Sequence, residues 1–305
     1  MASVSVVDVG RPAVGRRSTL WRSLRGELKG SEYSWAIAFC VPYLGVFLAF
    51  VVYPAVYGLW LGSEPSLYSE LFSDPIYQST VVNTLLFVGI GVNLKMFIAL
   101  LLSGFFMRPG WWVKGLLMIF ILPWAVPALP SFISIHWMLN GEWGLLNNLL
   151  YAMFHIDGPS WLNERWTALG SVIVSHIWKW TPFWTVILLA ARMAIPQDLH
   201  DAADIDGATG TRRFLHVTFP LLANVYLICT LLSTVWTIGD FTTVYYVSGG
   251  APARSSEVLS LTGVRYAFDI GRPSLGVASA LSALPVLIPL VIMLMRRVQT
   301  RGVQL

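Results

Sequence analysis

The sequence predicts an all-α polytopic membrane protein, and three observations carry that prediction. Of the 305 residues, 56% are apolar and only 12% charged, whereas a soluble domain of ordinary composition holds about 25% charged residues. The mean hydropathy is +0.65. Mostly apolar runs of about 20 residues or more, the length needed to cross a bilayer, recur from near Trp35 to the C-terminus.

Taken in order, residues 1–32 form a basic segment with Arg11, Arg16, Arg17, Arg22, Arg25 and Lys29 on a Gly- and Ser-containing background. A cleavable signal peptide places its apolar run close behind the first basic residues. Here that run begins near Trp35, so the segment reads as a retained cytoplasmic tail. Six spans follow at about 35–61, 80–106, 113–139, 166–191, 220–247 and 274–296, making residues 33–298 one transmembrane domain. Residues 299–305 form a short cytoplasmic tail.

Basic residues in the connections set the orientation. The 62–79 loop has Glu64, Glu70 and Asp74 and no Lys or Arg, and the 107–114 turn has Arg108 and Lys114. The 140–165 loop is acidic apart from Arg165, the 194–220 loop carries Arg212 and Arg213 with Arg192 just before it, and the C-terminus carries Arg296, Arg297 and Arg301. The alternation places both termini in the cytoplasm. One loop fits badly: 248–273 holds Arg254, Arg265 and Arg272 on the outer side, with Glu257 and Asp269.

Prolines interrupt most spans, at Pro42, Pro54, Pro123, Pro127, Pro130, Pro182, Pro285 and Pro289. In lipid such breaks persist where neighbours or cavity water satisfy the freed carbonyls. They serve either kinks around a path that opens and closes, or packing alone. The aromatic residues of the 140–165 loop, Trp143 and Trp161, act either as interfacial anchors or as part of a receiving surface for a soluble protein. Cys40 and Cys229 lie in apolar runs without metal-ligand spacing and read as small hydrophobes.

The polar interruption from Ala194 to Pro220, AIPQDLHDAADIDGATGTRRFLHVTFP, is too regular for a plain linker. Pro196 ends the preceding helix, and Asp198 is placed to act as N-cap with Asp201 assisting. Gly207 and Gly210 break the short helix, and a second helix starts near Thr209 or Thr211 and runs to Pro220. Small residues at a tight corner give a plug suited to a groove on another protein; the plainer reading is an acidic amphipathic turn.

The run Asp201-Ala202-Ala203-x-x-Asp206-Gly207-Ala208, followed by Phe214 and Phe219-Pro220-Leu-Leu, resembles the EAA motif of binding-protein-dependent ABC importer permeases, with Asp201 where the family usually has Glu. Leu122-Pro123-Trp124-Ala125-Val126-Pro127, Gly239-Asp240-Phe241, Ser248-Gly249-Gly250-Ala251-Pro252 and Gly276-x-Ala278-Ser279-Ala280-Leu281 are similar to the branch of the maltose (MalF) and glycerol-phosphate (UgpA) permeases of carbohydrate importers. The resemblance covers about residues 35–297. It implies a type I ABC importer permease fold, with residues 194–220 as the coupling loop that docks into an ABC ATPase dimer. It implies a second homologous permease, an extracytoplasmic substrate-binding protein and a cytoplasmic-membrane location. ATP and Mg would be bound by the partner ATPase, with no cofactor in this chain.

Lys95, Lys179, His136, His176, Asp240, Asn83 and Asn93 lie in or near spans, where charges are expensive and face a cavity or partner. Lys95 reads as snorkelling from the inner end of its span. Lys179, Trp236, Asp240 and Tyr245 read as contributors to a translocation path, since sugars are held by aromatic faces and polar groups. The competing reading pairs Lys179 with Asp240 structurally and leaves Trp236 and Tyr245 as belt residues.

No Gly-x-x-x-x-Gly-Lys-Ser/Thr occurs, so the chain itself should not hydrolyse ATP. Nothing supports nucleic-acid binding, a metal site or a nucleophile–base pair: Ser171 and His176 are five residues apart, on different helical faces. The sequence therefore predicts a non-catalytic permease subunit of an ATP-driven importer for a sugar, sugar alcohol or glycerol-phosphate type of solute, working by alternating access. An ion-gradient-driven secondary transporter of a small polar solute is the alternative.

Overall fold

The structure, a computed structural model, describes residues 30–302 and the side chains of 33–298. Most of the basic N-terminal tail and part of the C-terminal tail expected above lie outside the described residues. The chain divides into two compact units, Met1–Tyr57 and Gly58–Leu305.

The first unit holds helix α1 (Gly30–Phe47), a wide π turn (Leu48–Val52) and the start of α2 (Tyr53–Leu61). The π turn answers Pro54. The Tyr53 amide reaches back five residues to the Leu48 carbonyl, widening the helix just before a residue that has no N–H. Aromatic rings stack along this helix at i,i+4 spacing, Trp35 on Phe39 at 6.1 Å and Tyr43 on Phe47 at 6.4 Å.

The second unit continues with α3 (Pro65–Ser73), α4 (Pro75–Phe105), α5 (Trp111–Ala125), α6 (Ala128–Met138), α7 (Leu145–Phe154), α8 (Arg165–Met193), α9 (Gln197–Ile205), α10 (Gly210–Arg213), α11 (Phe219–Ile238), α12 (Phe241–Val247), α13 (Leu259–Val264), α14 (Pro273–Leu281) and α15 (Leu284–Gly302). Helix α4 starts as its sequence directs, with Pro75 in the first turn and the Asp74 carboxylate accepting from the Ile76 amide at 2.8 Å.

Helices α4 and α8 form the central pair. Three apolar clusters line α4 from end to end. Tyr77 joins Leu71, Leu259 and Leu275; Phe87 joins Phe132, Leu169, Val172 and Val244; Val92, Met96 and Leu100 join Trp184, Leu188 and Leu222. The outer flanks stay apolar and exposed, as with Trp111 (86%) and Met118 (70%), the pattern of a lipid-facing surface.

Five helical stretches are long and apolar enough to cross a membrane among the described residues: Tyr33–Leu61, Pro75–Phe105, Arg165–Met193, Gly210–Ile238 and Pro273–Val298. A sixth exists only if the pair α5 and α6, bent by 93°, counts as one span. Two boundary expectations need correction. The expected span at 113–139 is broken at Val126–Pro127. The expected span at 220–247 begins instead at Gly210 and ends at Ile238, with residues 241–247 as a separate helix. Pro220 does not end a helix, because a π turn at Phe214–Thr218 widens the backbone ahead of it, with the Phe219 amide bonding to Phe214 O.

The α5–α6 break follows from its prolines. Val126 is extended (φ −70°, ψ 141°), as a residue before proline prefers. Pro127 and Pro130 have no N–H for the carbonyls four residues back, those of Pro123 and Val126. The Lys179 ammonium supplies both missing donors. Nζ donates to the Pro123 carbonyl at 2.7 Å and to the Val126 carbonyl, and lies 3.4 Å from Ser131 Oγ. Lys179 is thus a buried brace between α8 and the break, with no contact to Asp240.

The three arginines of the awkward loop are all paired. The buried Glu257 carboxylate accepts from Arg254 Nε at 3.0 Å and from Thr262 Oγ1 at 2.7 Å, and Arg265 Nε lies 3.0 Å away. Arg272 chelates Glu70, whose carboxyl this hydrogen bond holds below its ordinary value. Tyr266 donates to Asp74, and burial pushes its phenol up. Arg272–Glu70 and Tyr266–Asp74 therefore join the 62–79 segment to the 248–273 loop, while Arg254 and Arg265 both gather on Glu257 within that loop. Asn83 ties the loop to α4, donating to the carbonyls of Ser255 and Glu257 at 2.8 Å each and accepting from Arg165 at 3.0 Å. Helices α13 and α14 cross at two glycines, where a Cβ on Gly276 would meet the Gly263 carbonyl at 2.5 Å.

Replacing Lys179 by Met should leave the carbonyls of Pro123 and Val126 without their donor, at about 1–3 kcal/mol each. The expected result is a lowered thermal midpoint of the detergent-solubilised chain, partly restored in Lys179→Arg. An unchanged midpoint for the Met variant would mean that the brace carries no load.

Candidate functional site

Two places gather chemistry-bearing residues: a cleft among α4, α8 and α11, and the connection between α8 and α11.

The cleft holds about 200 Å³. Helix α8 lines it with His176, Trp180 and Trp184, spaced by four so that all three share one helical face. Lys95 enters from α4, and Ser233, Trp236 and Thr237 from α11. The far wall is the break between α11 and α12, where Gly239 is followed by Asp240, Phe241 and Thr242. Asp240 caps α12, its Oδ1 accepting from the Thr243 amide at 3.0 Å while Thr243 Oγ1 donates to Oδ2. Trp236 packs beside Trp184 at 5.4 Å and Phe183 at 5.7 Å between ring centroids.

A hydrogen-bonded chain runs behind these rings. Lys95 Nζ lies 2.8 Å from His176 Nε2 and 3.5 Å from Thr237 Oγ1, and His176 Nδ1 lies 2.8 Å from Asp240 Oδ2. An ammonium can only donate, so Nε2 accepts and the imidazole proton sits on Nδ1, donating to the carboxylate. Lys95 is only 1% exposed, so the snorkelling expected for it is corrected. It stands mid-helix, and burial there is sustained by the imidazole and carboxylate beyond it.

Of the four residues assigned to a path from sequence, Trp236 and Asp240 lie in this cleft. Lys179 braces the α5–α6 break instead, so the Lys179–Asp240 pair of the competing reading does not form either. Tyr245 is 45% exposed on α12, stacked on Phe241 at 4.9 Å outside the lining. Sequence reasoning missed the roles of His176, Trp180 and Trp184. Their i, i+4, i+8 spacing was the available signal.

In the α8–α11 connection, α9 is capped differently from expectation. Pro196 stands at its N-terminus without a side-chain cap, and Asp198 and Asp201 lie inside the helix, Asp201 accepting from Gln197 Nε2 at 3.0 Å. The turn at Pro196 is already made by its own backbone (φ −56°, ψ 137°), so Asp198 acts only as a first-turn negative charge. The C-terminal end closes as a Schellman motif. The Ala208 amide bonds to the Ala203 carbonyl at 2.8 Å and the Gly207 amide to the Asp204 carbonyl at 3.1 Å, with Gly207 at φ +73°.

Ala203 is buried, while Asp201, Ala202, Asp206 and Gly207 are exposed. Ile205 is 87% exposed beside them. Arg213 holds Asp204 through both carboxylate oxygens at 2.8 and 2.9 Å. Phe214 lies 5.2 Å under the Arg192 guanidinium, which donates to Ser103 Oγ at 2.8 Å and Leu100 O at 2.9 Å. Pro220 starts α11 just beyond the π turn. No cluster of metal-ligating side chains occurs among the described residues.

Residues 95–304 match the family described as binding-protein-dependent transport system inner membrane component. The chain is 30% identical over 278 residues to the trehalose/maltose transport system permease protein MalF of Thermococcus litoralis, covering 86% of this chain and 92% of that one. It is 28% identical to the xylose/arabinose import permease protein XacH of Haloferax volcanii, over 87% of each. Its fold is similar to a chain of a bacterial alginate ABC transporter crystallised with an alginate pentasaccharide-bound periplasmic protein, with a TM-score of 0.79 at 19% identity, covering 91% of this chain and 96% of that one.

Asp240→Leu should strand the His176 and Thr243 donors and cost about 3 kcal/mol, whereas Asp240→Asn keeps an acceptor and should cost less. Thermal unfolding of the two variants in the same detergent checks the order. Equal midpoints would show that the carboxylate is not the acceptor these donors rely on.

Proposed function

We propose, given that the chain belongs to the family of binding-protein-dependent transport system inner membrane components (the MalF/UgpA-like permeases of ABC sugar-import systems), that it forms one half of the transmembrane path for a carbohydrate. Members of this family are non-catalytic membrane components, and the chain is a multi-spanning inner-membrane permease subunit of an ABC-type importer for a polar solute.

The observation that carries the carbohydrate reading is the cleft itself. Trp180, Trp184, Trp236 and Phe241 offer ring faces to the C–H surface of a sugar, while Lys95, Ser233, Thr237 and Thr242 offer hydroxyl partners. Relatives named for trehalose/maltose and xylose/arabinose support the same class of solute. Six spans with both termini in the cytoplasm, the bent α5–α6 pair counting as one, complete the reading of a type I permease.

Helix α9 is the coupling element. Asp201, Ala202, Asp206 and Gly207, with the exposed Ile205, face outward for a groove on a partner ATPase, and Ala203, Ala208 and Phe214 anchor it to the permease. Arg192 ties Phe214 to the end of α4, so a push on α9 reaches α4 and α8, two walls of the cleft. ATP binding draws the ATPase dimer together, α9 moves as a folded lever, and the spans re-pack from inward to outward access; hydrolysis resets them. A second homologous permease completes the path, and an extracytoplasmic binding protein delivers the sugar.

A tagged chain recovered from its native membrane in mild detergent should bring down a P-loop ATPase, a second permease and, after cross-linking, a soluble binding protein. Recovery alone under both conditions would overturn the assembly. Gly207→Leu should insert normally but lose most ATPase association or transport, because the left-handed turn costs a side chain about 1–2 kcal/mol and the closure of α9 depends on it. Normal transport by that variant would remove α9 from the coupling role.

A further inference from the structure

The cleft carries two charged side chains and one imidazole, joined in a single line from Lys95 through His176 to Asp240. The proton count of that line fixes its charge. With one proton between Lys95 and His176 and another between His176 and Asp240, an ammonium, a neutral imidazole and a carboxylate sum to zero. Moving the first proton from lysine to imidazole leaves the sum unchanged. Among the described residues no other ionisable side chain lines the cleft; the remaining lining is Trp180, Trp184, Trp236, Phe241, three hydroxyl residues and Gly239.

The bonding capacity of the line is also asymmetric. Asp240 is consumed by His176 and by the amide and hydroxyl of Thr243. Of the three ammonium protons of Lys95, two have protein partners, His176 and Thr237, leaving one donor for a solute. A carboxylate, sulfonate or phosphate entering beside these rings would lose its hydration and meet one donor whose charge Asp240 already offsets. A hydroxyl oxygen needs only that donor.

We infer that this chain's half of the path is selective by charge, admitting uncharged carbohydrate and disfavouring anionic sugars, with Lys95 and Asp240 as the opposed specificity-determining pair. This rests on the cleft lying on the transport path, as proposed above.

Charge selectivity can be read without knowing the solute. In a background of Cys40→Ser and Cys229→Ala, Thr242→Cys places one thiol in the cleft of the assembled transporter in membranes. Its modification rates by an anionic ethylsulfonate and a cationic trimethylammonium-ethyl methanethiosulfonate are compared, each divided by its rate with a free thiol in solution. The two normalised rates should agree within about threefold. Adding Asp240→Asn should raise the anionic rate relative to the cationic one on the order of tenfold, and Lys95→Gln should shift the ratio the other way, since one unit charge is uncovered each time.

A strong anionic preference without those substitutions overturns the inference, as does a ratio that neither substitution moves. The opposite signs expected for the two variants protect the result against a general loss of folding. If neither reagent reaches the introduced thiol in any ATP-bound or nucleotide-free state, the cleft is closed to water, and the placement of the path there falls instead.

Discussion

Away from water, a backbone carbonyl or amide must find its partner within the protein, and most of the unusual features of this chain answer that constraint. Every proline in a span removes a donor. At four of them the chain meets the loss in two ways. Ahead of Pro54 and Pro220 the helix widens into a π turn, so that the preceding amide reaches back five residues. At Pro127 and Pro130 the helix breaks outright, and a lysine from another span, Lys179, takes over the two carbonyls. An intramembrane charge there is a structural donor in the place of two missing amides.

The same constraint separates what the sequence could and could not reveal. Apolar runs and their spacing located the spans to within a few residues at most ends, because lipid exposure demands near-continuous hydrophobicity. The short helix 197–205 and its glycine closure were legible from Pro196, Gly207 and Gly210, since each has a strong local preference. The partners of buried charges were not. Lys95, His176 and Asp240 are 81 and 64 residues apart in pairs, and only packing of α4, α8 and α11 joins them. Lys179 looked like a path residue for the same reason: nothing local shows that its partners are carbonyls on α5.

The loop with three arginines illustrates a related point. Counting basic residues assumes that each charge is free to interact with the membrane potential and lipid headgroups. Arg254, Arg265 and Arg272 are spent on Glu257 and Glu70, so their weight in such a count is small. Folding turns an apparent violation into a set of paired charges, with Asn83 bonding the loop to the central helix.

Helix α9 is closed at its C-terminal end by its own backbone and held by one surface ion pair, with Ala203 its sole buried residue. Its stability therefore depends little on Asp201, Ala202, Leu199 or Ile205, which point away from the core. Changes on the exposed face of these nine residues would therefore leave the folding of the rest of the chain untouched.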